Sequence, residues 1–432
     1  MNKPILVFQA PVFTRSGYGD HARDILRSLF SMDKFDVKVV PTRWGNTPQN
    51  QIDPTTEFGQ RVFSNVVTQL QKQPEVYMQM SVANEFRNIG KFSIGITAGV
   101  ETTVLPREFI DGSNKMDLVI VPSEFTKSLF EKTMFNEQHK QTGQIVRQIK
   151  NETPVEVLFE GVELSRYENP PKDLDITGLK DIETDFNFLF VGHWLKGNLG
   201  QDRKDIGMMI KTFCTVFKSL PKDKQPGLIL KTSHAGFSVI DRENLRNKIE
   251  QITKPLGDVP PIYILHGDLT DQEMTALYHH DKVNAMVSFT KGEGYGRPLC
   301  EFTLTGKPII VSKWSGQTDF LPEEHTVYLD GQLTQVHESA ADKFIMKESQ
   351  WFTVNYSDAA QKMYSVYNEY DKHLKRSEGL KRNTKKNFSL DAMNRKFEEI
   401  MDEYVGDIPT EVEFKMPDLP KLNLPKLEKS EE

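Results

Sequence analysis

The most informative stretch of the chain is Lys291-Gly292-Glu293-Gly294-Tyr295-Gly296-Arg297-Pro298-Leu299-Cys300-Glu301, directly after the apolar run Ala285 to Phe289. Three glycines let a backbone turn tightly and approach a ligand closely. The segment then enters a helical stretch, whose first amides form a ready site for an anion. Glu293 lies on the loop and Glu301 eight positions later, inside the helix. Carboxylates beside a turn that favours phosphate suit the hydroxyls of a sugar or ribose, which donate hydrogen bonds to them.

The elements that position this loop follow from hydrophobic patterning. Ile5 to Phe8, Val37 to Val40, Val76 to Met80, Phe92 to Ile96, Leu118 to Val121 and Val155 to Phe159 are short apolar runs that read as buried parallel strands. The first is followed by the Ser16-Gly17-Tyr18-Gly19 loop and then by Ala22, Ile25, Leu26 and Leu29 at helical spacing. Asn136 to Thr153 is polar and reads as an exposed loop or helix. The pattern restarts after a Pro-rich, charged linker around Asn169 to Asp173. Phe188 to Val191, Leu228 to Lys231, Ile262 to Leu265, Ala285 to Phe289 and Pro308 to Val311 read as strands, separated by helices such as Ile206 to Phe217 and Asp271 to His279. Strands alternating with helices predict two doubly wound, Rossmann-like α/β domains facing across a cleft. Their expected bounds are 1–171 and 172–388. A helix over 389–406 is expected to pack back toward the first domain, and 407–432, where Leu-Pro-Lys-Leu occurs twice, to be disordered. Thr232 and Ser233, at the end of a strand, should face the cleft, because ligands bind at the carboxyl ends of parallel strands.

Glu293 to Glu301, with Ser288-Phe289 before it and the Gly306-Lys307-Pro308-Ile309-Ile310-Val311 strand after it, resembles the E-x7-E signature of retaining glycosyltransferases of the GT-B fold, family 4. The resemblance runs from Ile5 to about Val405. It implies that Glu293 contacts the hydroxyls of a donor sugar and Glu301 the nucleotide ribose. The backbone of Gly294, Tyr295, Gly296 and Arg297 would hold sugar and phosphate. It also implies that Lys204, helped by Arg203, neutralises the donor diphosphate, on which charge grows as the glycosidic bond breaks. His193 stands where the family commonly has an arginine. His266 and Gly267, in Ile264-Leu265-His266-Gly267-Asp268, fall where the family meets the nucleotide base. Gly17 and Gly19 resemble the loop that closes over donor phosphate and acceptor. They lack the full G-x-G-x-x-G of a dinucleotide site. Glu101 matches the place of a polar residue under the reacting sugar and, with Glu293 and Lys204, is a candidate catalytic residue. Glu160-Gly161-Val162-Glu163 resembles the unit ending the first domain, in a structural role.

Composition limits the alternatives. Hydrophobic content of 38% supports packed cores, and a net charge of −7 offers no general basic field for nucleic acid. Cys214 and Cys300 make no disulfide framework or zinc spacing. Met1-Asn2-Lys3-Pro4 before a short apolar run reads as a first strand and not a secretory signal. No apolar stretch approaches the roughly 20 residues of a transmembrane segment. The expectation is a cytoplasmic transferase using a UDP- or GDP-linked sugar as co-substrate and a hydroxyl acceptor: a glycan, lipid-linked glycan or small molecule. No metal or other cofactor is expected. Hydroxymethylated bases in DNA are a disfavoured alternative acceptor, kept open by Arg15, Arg23 and Arg43. A sugar-nucleotide epimerase and a non-catalytic sugar-binding protein are the alternatives of other classes.

Overall fold

The structure, a computed structural model, describes residues 3–139, 141–170, 174, 176, 178–234 and 236–406. The tail over 407–432 and most of the linker, including both aspartates of Asp173-Leu174-Asp175, lie outside these residues. The first half runs β1 (Ile5–Ala10), α1 (Gly17–Met32), β2 (Asp36–Pro41), α2 (Glu57–Ser64), β3 (Val76–Met80), β4 (Phe92–Ile96), α3 (Arg107–Ser113), β5 (Leu118–Val121), α4 (Glu124–Lys132), β6 (Met134–Gln138), β7 (Ile145–Lys150), β8 (Val155–Val157) and α5 (Leu164–Tyr167). The second runs β9 (Asn187–Val191), α6 (Ile206–Phe217), β10 (Gly227–Lys231), α7 (Val239–Thr253), β11 (Ile262–Leu265), α8 (Asp271–His279), β12 (Ala285–Ser288), α9 (Arg297–Phe302), β13 (Ile309–Ser312) and β14 (Val327–Leu329). It continues through β15 (Gly331–Gln335), β16 (Gln350–Val354), α10 (Tyr356–Asn368), α11 (Tyr370–Asn387) and α12 (Leu390–Val405).

Two six-stranded sheets result, ordered β2-β1-β3-β4-β5-β8 and β11-β10-β9-β12-β13-β14, with parallel pairing throughout. Continuous apolar runs produce this, since a parallel strand covered by helices on both faces must be apolar on both sides. All residues of β3, β5, β12 and β13 are buried. The architecture is the GT-B arrangement of two Rossmann-like units. In each sheet the order reverses beside the first strand, between β1 and β3 and between β9 and β12. Ligand crevices form at such reversals, outside the carboxyl ends of the strands.

Two expectations need correction. The polar segment from Asn136 is a two-stranded antiparallel hairpin, β6 with β7. The β-branched residues Ile145, Val146 and Ile149 suit a strand, and Ile149 is drawn into the first half's core. Gly17 and Gly19 lie inside the first turn of α1, not in the loop before it. Ser16 caps that helix, its Oγ accepting the Gly19 amide at 3.0 Å, so the helix begins as soon as a capping side chain allows.

Among the described residues the chain passes between the halves at two places. After α11 it returns, and α12 buries Met393, Phe397, Ile400, Met401 and Val405 in the core formed by β1 to β5 and α1. Such side chains contribute about 1.5–3 kcal/mol each when fully buried. The two crossings touch: Val162 and Ser389 form a parallel bridge, with the Val162 amide donating to Phe388 O at 2.9 Å and the Leu390 amide to Val162 O at 2.8 Å. Among the described residues, no helix is long and apolar enough to cross a membrane.

Candidate functional site

Two strand-end turns of the second sheet form the centre of the site. After β9 the chain makes a turn over Asp202–Asp205 and enters α6; after β12 it runs through Thr290–Gly296 into α9. Lys291 joins the turns, its amide donating to Arg203 O at 2.7 Å and its ammonium reaching Asp205 Oδ2 at 2.9 Å. The Tyr356 hydroxyl donates to the same oxygen at 2.8 Å. Asp205 occupies left-handed backbone at φ +51°, unusual for a residue with a side chain. This wholly buried pair orients the two residues that precede it, Arg203 and Lys204. From the sequence, Lys291 is named without a role and Asp205 is not singled out; the available signal is a lysine two positions before the loop acid.

Arg203 and Lys204 converge on Glu293. Lys204 Nζ is bonded to Glu293 Oε1. Arg203 Nη1 lies 3.3 Å from Glu293 Oε2, 2.8 Å from Gly292 O and 3.1 Å from Glu101 Oε1. Glu101 belongs to the loop after β4, so the cluster draws residues from both sheets. Burial works against the charges of Lys204, Glu293 and Arg203. For Lys204 burial prevails and lowers the ammonium pKa despite Glu293. Burial alone would raise the Glu293 carboxyl, but Lys204 and Arg203 outweigh it and the pKa falls. Arg203 is lowered by burial and raised more by Glu101 and Glu293. The result is a carboxylate held ionised between two cations, in a site largely closed to water.

The glycine loop lies against the first half. A Cβ on Gly294 would sit 2.8 Å from the Ala98 carbonyl oxygen, and one on Gly292 3.0 Å from Glu101 Cβ. Only a residue without a side chain fits there. Gly296, at φ +102°, turns the chain into α9. Ser123 Oγ, from the cap of α4, donates to Gly294 O at 2.6 Å. The Glu124 amide donates to Asp319 Oδ2 at 2.8 Å, and burial lifts that carboxyl to about 6. Arg15, after β1, pairs with Asp268, after β11. The carboxyl ends of both sheets therefore face each other, as the sequence predicts.

Glu301 is not part of the Glu293 cluster. It accepts from Arg297 Nε at 3.0 Å and from the Tyr278 hydroxyl at 3.1 Å, and burial raises its pKa although Arg297 opposes this. Arg297 also reaches into the first half, to Asp24 Oδ2 at 2.7 Å. Its side chain thus spans the seam, a role the sequence does not suggest, since Asp24 lies 273 residues away. The Tyr295 side chain points into the core beside Phe320, ring centroids 4.8 Å apart. His193 Nδ1 meets Ser233 Oγ at 3.0 Å; burial, then Lys204 and Lys231, lower its pKa, so it adds no positive charge at neutral pH. Thr232 is buried, and among the described residues its hydroxyl has no hydrogen-bond partner. His266 Nε2 is held by Asp241 Oδ2 at 2.9 Å, and Gly267 O accepts from Lys231 Nζ at 2.6 Å. Of the arginines named for a duplex, Arg23 is buried and donates to Val12 O and Thr14 O, both at 2.9 Å, so it cannot reach a phosphate. An open groove of about 710 Å³ lies elsewhere, between the β15 edge and Leu199–Gln201; it contains none of the converging charges.

No protein-family profile and no curated protein sequence matches the chain. Solved structures do. A glycosyltransferase from Rickettsia africae is similar with a TM-score of 0.59 at 15% identity, over 94% of this chain and 100% of that one. HepE of Anabaena, in complex with UDP and glucose, gives 0.57 at 12% identity, over 93% and 100%. Sucrose-phosphate synthase of Thermosynechococcus elongatus gives 0.60 at 12%, over 93% and 99%. At these identities the likeness is one of fold.

Proposed function

We propose that the chain is a retaining glycosyltransferase of the family 4 type, which moves a sugar from a nucleoside diphosphate to a hydroxyl acceptor. The observation that carries the reading is the convergence of Glu101, Arg203, Lys204 and Glu293 where the two sheets meet at their carboxyl ends. The likeness in fold to a protein seen with UDP and glucose supports it. Residues 172–388 take the donor, residues 1–171 the acceptor, and the helix over 389–406 completes the acceptor side.

In this reading the donor diphosphate competes with Glu293 for Lys204 and Arg203, and Glu293 is released to accept from sugar hydroxyls. Fixed cations then stabilise the charge that grows on the leaving phosphate. The bond between the anomeric carbon and the phosphate oxygen breaks, and the acceptor oxygen bonds to the same face of that carbon. The acceptor proton passes to the departing phosphate, so no separate base is needed. Contact between the halves keeps out water, which would otherwise hydrolyse the donor.

A thermal-shift screen of UDP- and GDP-linked sugars tests the donor, because a ligand of the native state alone raises the melting point. Glu293→Ala and Lys204→Ala should each lower turnover by at least about a hundredfold while the chain stays folded. Transfer at the parent rate by both variants would reject the assignment. The anomeric configuration of the product, read by NMR, decides retention.

A further inference from the structure

Tyr18 and Trp44 form a ring stack that the donor chemistry does not use, with centroids 3.9 Å apart and planes 20° from parallel. Tyr18 is in the first turn of α1, after β1, and Trp44 follows β2, the adjacent strand. The pair therefore stands at the carboxyl edge of the first sheet, on the rim that meets the second half. Its anchor is specific: the Tyr18 hydroxyl accepts the Ala98 amide at 2.9 Å and lies 3.5 Å from Thr97 Oγ1. Ala98 is the residue against which Gly294 packs, three positions before Glu101. Both rings are only half-buried, so part of the stack faces solvent beside the charged cluster.

The surroundings of Trp44 say what the stack would take. Asn46, Gln49 and Asn50 are exposed on the same loop, and each amide both donates and accepts, as hydroxyls do. An aromatic face attracts the polarised C–H bonds on one face of a pyranose, while the ring's edge keeps its hydroxyls for polar partners. A lipid chain would need a continuous apolar wall, which this amide-bearing loop does not form. A duplex would need free cations. Arg23 is buried and Arg15 is engaged by Asp268, which leaves only Arg43 of the three exposed.

Resting on the transfer reading above, we propose that the Tyr18–Trp44 stack and the amides of the 42–50 loop form the acceptor subsite, and that the acceptor is a neutral carbohydrate that lays a pyranose ring on the stack. Binding of maltotriose, cellotriose and chitotriose to the full chain, read by saturation-transfer NMR, tests this apart from the donor. At least one trisaccharide should bind. Trp44→Leu should weaken it by about tenfold or more, and Trp44→Phe, which keeps a ring, by less. Should the leucine variant not fold, the phenylalanine variant still reports, through a smaller loss and an altered contact map on the sugar. No saturation of any of the three sugars, in protein whose melting point a nucleotide sugar raises, overturns the acceptor proposal and leaves the donor reading standing. Trp44-dependent binding of a short DNA duplex instead of the sugars also overturns it. If no nucleotide sugar shifts the melting point, the transfer reading itself fails, and the acceptor proposal falls with it.

Discussion

Lys291 and Asp205 exchange charge where no water reaches either, at 1% and 0% side-chain exposure. Removing one member of such a pair leaves the other buried and uncompensated, which costs about 3–5 kcal/mol. Lys291→Met should therefore lower the urea midpoint markedly, and turnover further still, because Arg203 and Lys204 lose the tie that aims them. Glu160 offers a separate measurement. It faces His21, Nδ1 to Oε1 at 3.9 Å, and burial pushes its carboxyl up to about 8, while burial and Arg297 push the His21 imidazole down to about 3. Folding favours the protonated acid, so its contribution is complete below the unfolded carboxyl value near 4.5 and is lost as pH rises to about 8. The lowered His21 pKa gives the opposite slope up to its unfolded value near 6.5, so the melting temperature should fall chiefly between about 6.5 and 8, and Glu160→Gln, which cannot ionise, should flatten that fall. An unchanged profile in Glu160→Gln would show that this carboxyl is not the source.

At the scale of elements, the glycine turn into α9 is the joint between chemistry and packing. Gly294→Val would place a branched side chain against the Ala98 carbonyl and push the halves apart there. Turnover should drop at least about tenfold, since small misplacements of reacting groups carry large penalties, and small-angle scattering should show a larger radius of gyration. This turn was legible in the sequence because glycines and acids at fixed spacing have few structural uses. The strands were legible too: β3, β4 and β5 fall on the apolar runs to the residue, since burial on both faces leaves no alternation to blur their ends. The β6–β7 hairpin was not, because most of its residues are exposed and it carries no apolar run to mark it. Nor was the Arg297–Asp24 pair. Contacts across a seam depend on how two finished sheets meet, and local pattern carries no trace of that. The same limit separated Glu301 from Glu293: eight positions apart in a signature, they end in different networks once Arg297 claims one of them.

For the whole molecule, the position of α12 decides how the chain can be divided. Its apolar face belongs to a core built almost 400 residues earlier in the chain, among them Leu6, Leu26 and Leu29. A fragment over 1–170 should consequently be insoluble or lack cooperative melting. Adding a peptide over 389–406 should restore a melting transition. A cooperative fragment without the peptide would show that the helix is dispensable.

The bridge between Val162 and Ser389 brings a mechanical consequence. Two lobes joined by one strand could twist and slide as well as open, but two strands laid side by side act as a leaf hinge. Rotation about that line stays easy, while shear along it would strain both backbones at once. The lobes should therefore swing as a pair of covers do about a spine, returning Glu101 to the same spot over Arg203 at each closure, with the widest gape at the edge farthest from Val162.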